Sequence, residues 1–367
     1  MTEQKLISFA RGAPSLDIIA AEELADCAAR ALRNDPAGSF AYGTAVGYPP
    51  LREWIAERQS VTVEQVVTTN GSMQADAFLF ELMVEPGDVV IVEAPTYDRT
   101  LLALQKLTDE VLPIPLEEDG IDVGALEVVL EQGVRPKLAH IIPNFQNPAG
   151  YTLSLDKRRR LLELAEQYDF AIFEDDPYVE LRFVGERLPT MLSMDRADKV
   201  VYASSFSKTV CPGIRVGYLV GPEPVIAAIV KLATETYISP SMVSQAIVTE
   251  FCRSGAIEES IETVKGALRE RRDVLCEALE RELPEARFVP PDGGYFLWVE
   301  LPEGSDVDML FENARDRGVV FVKGTDFLKE GGQNTLRLAF SGVQPAEIDE
   351  GVSRLAEAYK SLAGAVA

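Results

Sequence analysis

Lys208 stands in the turn Ser204-Ser205-Phe206-Ser207-Lys208, directly after the apolar run Val200–Ala203. A lysine amine is a nucleophile only when neutral, and desolvation or a neighbouring cation favours that form. Such an amine is equipped for Schiff-base chemistry. Arg215, seven residues on, is a candidate for that cation and for a phosphate partner. Asp175 follows another apolar run, Phe170–Phe173, and precedes Asp176-Pro177-Tyr178. A carboxylate at a buried strand edge is costly unless a cation or donor meets it. A protonated heteroaromatic nitrogen would meet that need, and so would an arginine. The neighbouring Asp176 is expected to point away on an extended chain. Asn70-Gly71-Ser72 opens a helical stretch. Free amides at a helix N-terminus, with a glycine that permits close approach, suit an anion such as phosphate. A plain turn capped by Ser72 is the alternative.

The rest of the composition narrows the chemistry. There is one histidine, His140, inside the apolar run Leu138–Ile142, so a histidine metal cluster or a Ser-His-Asp triad lacks material. His140 reads as a strand residue. The four cysteines, Cys27, Cys211, Cys252 and Cys276, are far apart and match no zinc or disulfide spacing; no metal site is expected. A net charge of -24 over 367 residues opposes contact with a nucleic-acid backbone. The N-terminus carries no signal-peptide core, and no apolar run reaches the ~18 residues of a membrane span. The expectation is a cytoplasmic α/β protein without membrane attachment.

Seven apolar runs read as strands: Val66–Thr69, Val89–Val92, Val111–Pro115, Leu138–Ile142, Phe170–Phe173, Val200–Ala203 and Val216–Val220. Several are rich in β-branched residues without polar alternation, as in strands covered on both faces. Amphipathic stretches lie between them, at Met73–Val84, Leu126–Gln132 and Leu155–Tyr168. The alternation predicts a mostly parallel or mixed sheet between helical layers. Long helical stretches follow from Pro224 to about Arg253 and from Glu258 to Leu283. Beyond a Pro/Gly-rich break come Tyr295–Leu301, a helix near Asp306–Arg317, Val319–Val322, Thr335–Phe340 and a helix after Pro345, a smaller α+β region. The expected division is an arm over 1–45, a large domain over 46–283 and a small domain over 284–367, with the arm packing on the last. Five polar clusters follow predicted strands, at Asn70–Ser72, Ala94–Tyr97, Asn144–Pro148, Glu174–Tyr178 and Ser204–Lys208. Ligands of open α/β sheets bind outside the carboxyl ends of strands, so the five predict one crevice.

In this order and spacing the motifs ISFARGAP, YGTAVGYPPLRE, NGSMQA, EAPTY, PNFQNPAG, EDDPY, SSFSKTVCPGIRVGY, GGYFLWVEL and TLRLAF cover nearly the whole chain. The chain resembles the fold-type I aminotransferases of class I/II, which use pyridoxal 5'-phosphate, above all the 2-aminoadipate, kynurenine and aromatic branch. The resemblance implies a three-layer, mostly parallel seven-stranded sheet with a smaller α+β domain. It implies Lys208 as the lysine that holds the cofactor covalently and shuttles a proton, and Asp175 as partner of the pyridine nitrogen. Tyr178 and Asn147 would donate to the phenolic oxygen, and Tyr97 would stack on the ring. Ser72, the amide of Met73, Ser205 and Arg215 would hold the phosphate, with Tyr42 reaching in from a second subunit of a homodimer. Met73 stands where glutamine is common, which a backbone contact tolerates. Arg337 would grip the substrate α-carboxylate, with Asn147 and the Gly12 backbone assisting.

Two departures stand out. Arg11 occupies a position that commonly holds a small residue, and would either reach a second substrate carboxylate or lie on the surface. Lys323 replaces a common proline. The implied reaction is ping-pong transfer of an amino group from an L-amino acid to a 2-oxo acid, most often 2-oxoglutarate. The same scaffold also supports lyases, decarboxylases and cyclases, and an effector-binding module of bacterial regulators.

Overall fold

The computed structural model describes residues 5–366. The arm starts with a two-residue strand, β1 (Ile7–Ser8). The main sheet contains β2 (Val66–Thr69), β3 (Val89–Ala94), β4 (Val111–Glu117), β5 (Gly120–Ile121), β6 (Pro136–Ile141), β7 (Ala171–Asp175), β8 (Val200–Ser205) and β9 (Gly217–Val220). Its order is β2-β9-β8-β7-β6-β3-β4-β5. Only β9 and β5 oppose the common direction, pairing antiparallel with their neighbours. The seven expected strands are all present. The eighth, β5, is a two-residue return after β4 that is too short to show a hydrophobic period.

The strands lie between two apolar layers. Alternate residues of one strand enter different cores, as a period of two requires. Val90 and Val92 pack with Phe78, Leu79, Phe80 and Ile229. Ile91, between them, packs with Leu126, Leu130, Leu161 and Leu164. The helices Ser72–Met83 and Glu223–Tyr237 therefore cover one face, and Val123–Glu131 and Leu155–Tyr168 the other.

The stretch from Pro224 to Arg253 is two helices, Glu223–Tyr237 and Met242–Arg253. The break falls at Ile238, whose φ is +70°, just before Pro240. The helix Ala256–Glu282 contributes Ala256, Ile257 and Ile261 to one core and Val264 to Leu279 to another, so it joins two parts of the molecule.

The C-terminal region holds β10 (Phe296–Glu300), β11 (Val319–Val320), β12 (Val322–Lys323) and β13 (Thr335–Ala339). The expected single run Val319–Val322 is thus split. β11 pairs with β1, whereas β12 joins the antiparallel sheet β10-β13-β12. The intervening Phe321 is buried against Phe311. The arm also divides. Ile7, Phe9 and Ile18 enter the C-terminal core, and Phe9 O accepts from Ala339 N at 2.8 Å. Its helix Ala21–Asn34 places Cys27 and Ala31 in the core formed with Met242–Arg253.

Candidate active site

β2, β3, β6, β7 and β8 run the same way, so the five polar turns that follow them open at one end of the sheet. There they border a cleft of about 550 Å³. Ser72, Met73, Tyr97, Asn147, Asp175, Tyr178, Ser205, Lys208 and Arg215 all line it, together with Arg11, Gly12 and Arg337 from the arm and β13. Of the sequence candidates, Tyr42 alone lies outside this cleft, and the residue is 89% exposed.

The end nearest the helix Ser72–Met83 is a cradle. Gly71, at φ +89°, holds the N-cap position and Ser72 is the first helical residue, so Ser72 is not the cap. The N-cap position here has a positive φ, which glycine adopts without strain and serine does not, so the turn gives that place to Gly71. A Cβ on Gly71 would stand 2.1 Å from Arg215 Nη2, and one on Gly217 would stand 2.4 Å from Ser72 N. Absence of side chains thus lets strand, guanidinium and helix amides converge. Arg215 Nη1 also donates to Ser207 Oγ at 3.1 Å.

Across the cleft, Lys208 Nζ donates to Gly12 O at 2.8 Å and lies 5.1 Å from the centre of the Tyr295 ring. Burial, then the charges of Arg337 and Arg215, lower its pKa to about 8. Asp175, ending β7, is buried; its Oδ1 has no hydrogen-bond partner among the described residues. His140 is a strand residue as expected, yet its Nε2 lies 3.5 Å from Asp175 Oδ2. Asp176 points away, accepting from Asn144 Nδ2 at 2.8 Å.

The third side belongs to Arg337, paired with Trp298 and Val322 in the small sheet. It is 6% exposed and held between Phe296 and Phe327, 4.4 and 4.9 Å from their ring centres. Nη1 donates to Asn147 Oδ1 at 2.8 Å and Nη2 to Ala10 O at 2.7 Å. Its Nε is buried without a partner among the described residues. A buried guanidinium held by neutral oxygens has charge left for an anion. Arg11 borders the cleft, exposed, with no side-chain bond among the described residues. Lys323 instead pairs with Asp308 at 2.5 Å.

Sequence reasoning missed Phe296 and Phe327, which clamp Arg337, and the buried Asp76. The last had a signal: a charged residue four positions after Ser72 in the apolar stretch SMQADAFLFELM.

An unpartnered acceptor at Asp175, an amine with lowered pKa and a side-chain-free cradle beside Arg215 fit a ring nitrogen, an aldehyde and a phosphate respectively. The class with these needs is the fold-type I enzymes that carry pyridoxal 5'-phosphate. The profile of the family Aminotransferase class I and II matches residues 4–355. An aromatic-amino-acid aminotransferase of Thermococcus litoralis is 36% identical over 97% of this chain and 88% of its own. A 2-aminoadipate transaminase of Thermus thermophilus is 37% identical over 97% and 91%. The solved alpha-aminoadipate aminotransferase of Thermus thermophilus, complexed with N-(5'-phosphopyridoxyl)-L-leucine, superposes with a TM-score of 0.93. It is 36% identical, covering 98% of this chain and 93% of its own.

The chain belongs to the class I and II aminotransferases and is a pyridoxal-phosphate-dependent enzyme that transfers amino groups. Of the reactions the resemblance left open, amino transfer is the one these relatives carry. No helix among the described residues is long and apolar enough to cross a membrane, and they contain no group of three or more His, Cys, Asp and Glu placed to hold a metal.

Proposed function

We propose that this enzyme moves an amino group from an L-amino acid to 2-oxoglutarate in two half-reactions at one site. In this reading Lys208 is the catalytic amine, Asp175 the partner of the pyridine nitrogen and Arg337 the fork for the α-carboxylate. The observation that carries it is the Lys208 amine, its pKa brought to about 8 in the same cleft as the unpartnered Asp175 Oδ1. When bound, the cofactor supplies an aldehyde and an electron-withdrawing ring that makes the substrate α-proton acidic.

The residues supply the rest. Lys208 Nζ would take that proton from the substrate Cα and deliver it two atoms away, to the former aldehyde carbon on the other side of the nitrogen. Asp175 keeps the ring nitrogen protonated. Asn147 Oδ1 is occupied by Arg337, which leaves Nδ2 to donate to the phenolic oxygen beside the Tyr178 hydroxyl. Tyr97 stacks on the ring, and Ser72, the Met73 amide, Ser205 and Arg215 hold the phosphate. Arg337 and Asn147, with the Gly12 backbone, orient the amino acid. The free guanidinium of Arg11 receives the second carboxylate of 2-oxoglutarate.

The proposal includes a homodimer in the cytoplasm, in which the exposed Tyr42 reaches the partner's phosphate. It also includes three units over 1–45, 46–283 and 284–367. The test adds single L-amino acids to cofactor-loaded protein without an acceptor. Release of one 2-oxo acid per site, followed by L-glutamate when 2-oxoglutarate is added, is expected. Absence of 2-oxo acid before the second addition would overturn the two-stage scheme.

A further inference from the structure

Asp76 is a carboxyl that the reading above does not use. It lies on the helix Ser72–Met83, four residues after Ser72, on the same face and one turn, about 6 Å, from the cradle. It lines the cleft with Asp175, yet is only 8% exposed. Its Oδ1 is buried and has no hydrogen-bond partner among the described residues, and the same holds for Asp175 Oδ1. No salt bridge reaches it among those residues, although Arg99 borders both this cleft and a smaller cavity that Asp76 and Lys106 also line. Arg99 instead pairs with Asp98 at 3.4 Å.

Two buried carboxylates without a cation between them cannot both stay ionised, because each pays for lost hydration and repels the other. The groups facing this pair do not remove the conflict. His140, from β6, approaches Asp175 rather than Asp76, and its ring nitrogens make no hydrogen bond among the described residues. Burial first, and then the charge of Asp98, keep the Tyr97 hydroxyl protonated, so Tyr97 brings no positive charge to the pair. Glu93, from β3, is itself pushed up to about 8, chiefly by burial. Lys208 feels Asp175. Burial first, and then the charge of Asp175, raise Asp76 well above the ordinary carboxylate range.

We propose that Asp76 is a positioning residue that stays protonated and donates its proton to Asp175, orienting that carboxylate toward the pyridine nitrogen. This rests on the reading of Asp175 proposed above. The pair then carries one negative charge, matched to one pyridinium, and neither orphaned oxygen remains unsatisfied. Aspartic dyads that hold one proton between two carboxyls follow the same rule.

The test compares wild type, Asp76→Asn and Asp76→Leu as cofactor-loaded protein by infrared difference spectroscopy at neutral pH. The wild type is expected to show a protonated-carboxyl stretch that shifts in heavy water and is missing from Asp76→Asn. An amide still donates a hydrogen bond, so Asp76→Asn is expected to bind pyridoxal phosphate within about twofold of wild type. Asp76→Leu has no donor and is expected to bind it about tenfold more weakly, as loss of a bond to a charged group implies. Absence of the carboxyl stretch, or equal affinity in all three proteins, would overturn the proposal. If Asp76→Leu fails to fold, the infrared comparison with Asp76→Asn decides alone. Failure of the cleft reading is distinguishable: borohydride would then fix no cofactor on Lys208 in wild type, whatever the carboxyl stretch shows.

Discussion

Arg337 Nη1 lies 2.8 Å from Asn147 Oδ1, and this bond ties a strand of the small sheet to the loop after β6. Both residues are proposed to serve the substrate. Arg337→Ala is expected to weaken amino-acid handling by about 2–5 kcal/mol, the cost of unpairing a buried charge. The visible absorbance of the bound cofactor should persist. Steady-state kinetics with several amino donors checks this, and an unchanged kcat/KM would remove the assignment.

The Lys208 amine, at about 8 rather than the ordinary 10.5, sets a pH dependence. Between those values the unfolded chain binds more protons at this position than the folded one. The group's contribution to stability therefore rises with pH across that window, and its penalty is greatest below it. Thermal melts of cofactor-free wild type against Lys208→Met should show the steeper rise with pH in wild type. Removing Arg337, whose charge helps lower this pKa, should move the midpoint of cofactor capture upward.

Lys208→Ala should abolish the borohydride-fixed adduct and reduce turnover by on the order of 10²–10⁴-fold or more. Noncovalent retention of the cofactor is compatible with this, because the cradle and Asp175 remain. Mass spectrometry of the reduced protein provides the measurement.

Gly217 lets β9 approach the cradle. A methyl there would stand 2.4 Å from Ser72 N and 2.5 Å from the Gly71 carbonyl carbon. Gly217→Ala should cost about 1–3 kcal/mol of stability through overpacking. It should also weaken cofactor binding, since the backbone that must move is the proposed phosphate site. Calorimetry and cofactor titration read the two effects separately.

Arg158, fully buried, donates to Leu153 O, Pro143 O, Pro189 O and Asn144 Oδ1 at 2.9–3.1 Å. Asn144 in turn donates to the buried Asp176. Arg158→Met should cost about 3–5 kcal/mol, because it leaves three backbone carbonyls and Asn144 Oδ1 without their donor in a buried place. A lowered melting temperature, with loss of the Asn144–Asn147 loop geometry, is the expected result.

Much of this was legible in the chain because it is local. The Val90/Ile91/Val92 alternation and the apolar runs mark β3 and its neighbours. Lys208, Asp175 and the Asn70–Ser72 turn announce themselves by residue type after a strand. β5 and the split between β11 and β12 were not legible, since two-residue strands exist through their partners and have no period of their own. Ser72 looked like a cap, but only the backbone geometry shows Gly71 in that place.

By itself the sequence determined the alternation of strand and helix, the positions of the reactive turns and the family, because periodicity and motif order survive without coordinates. Tertiary structure alone decided which lone charges meet. Arg337 acquires Asn147 and two aromatic faces, Lys208 acquires the Gly12 carbonyl, and Asp76 comes to share a cleft with Asp175. These groups are far apart along the chain, so the packing of helices and the small sheet against the main sheet sets their distances and the desolvation that gives them their chemistry.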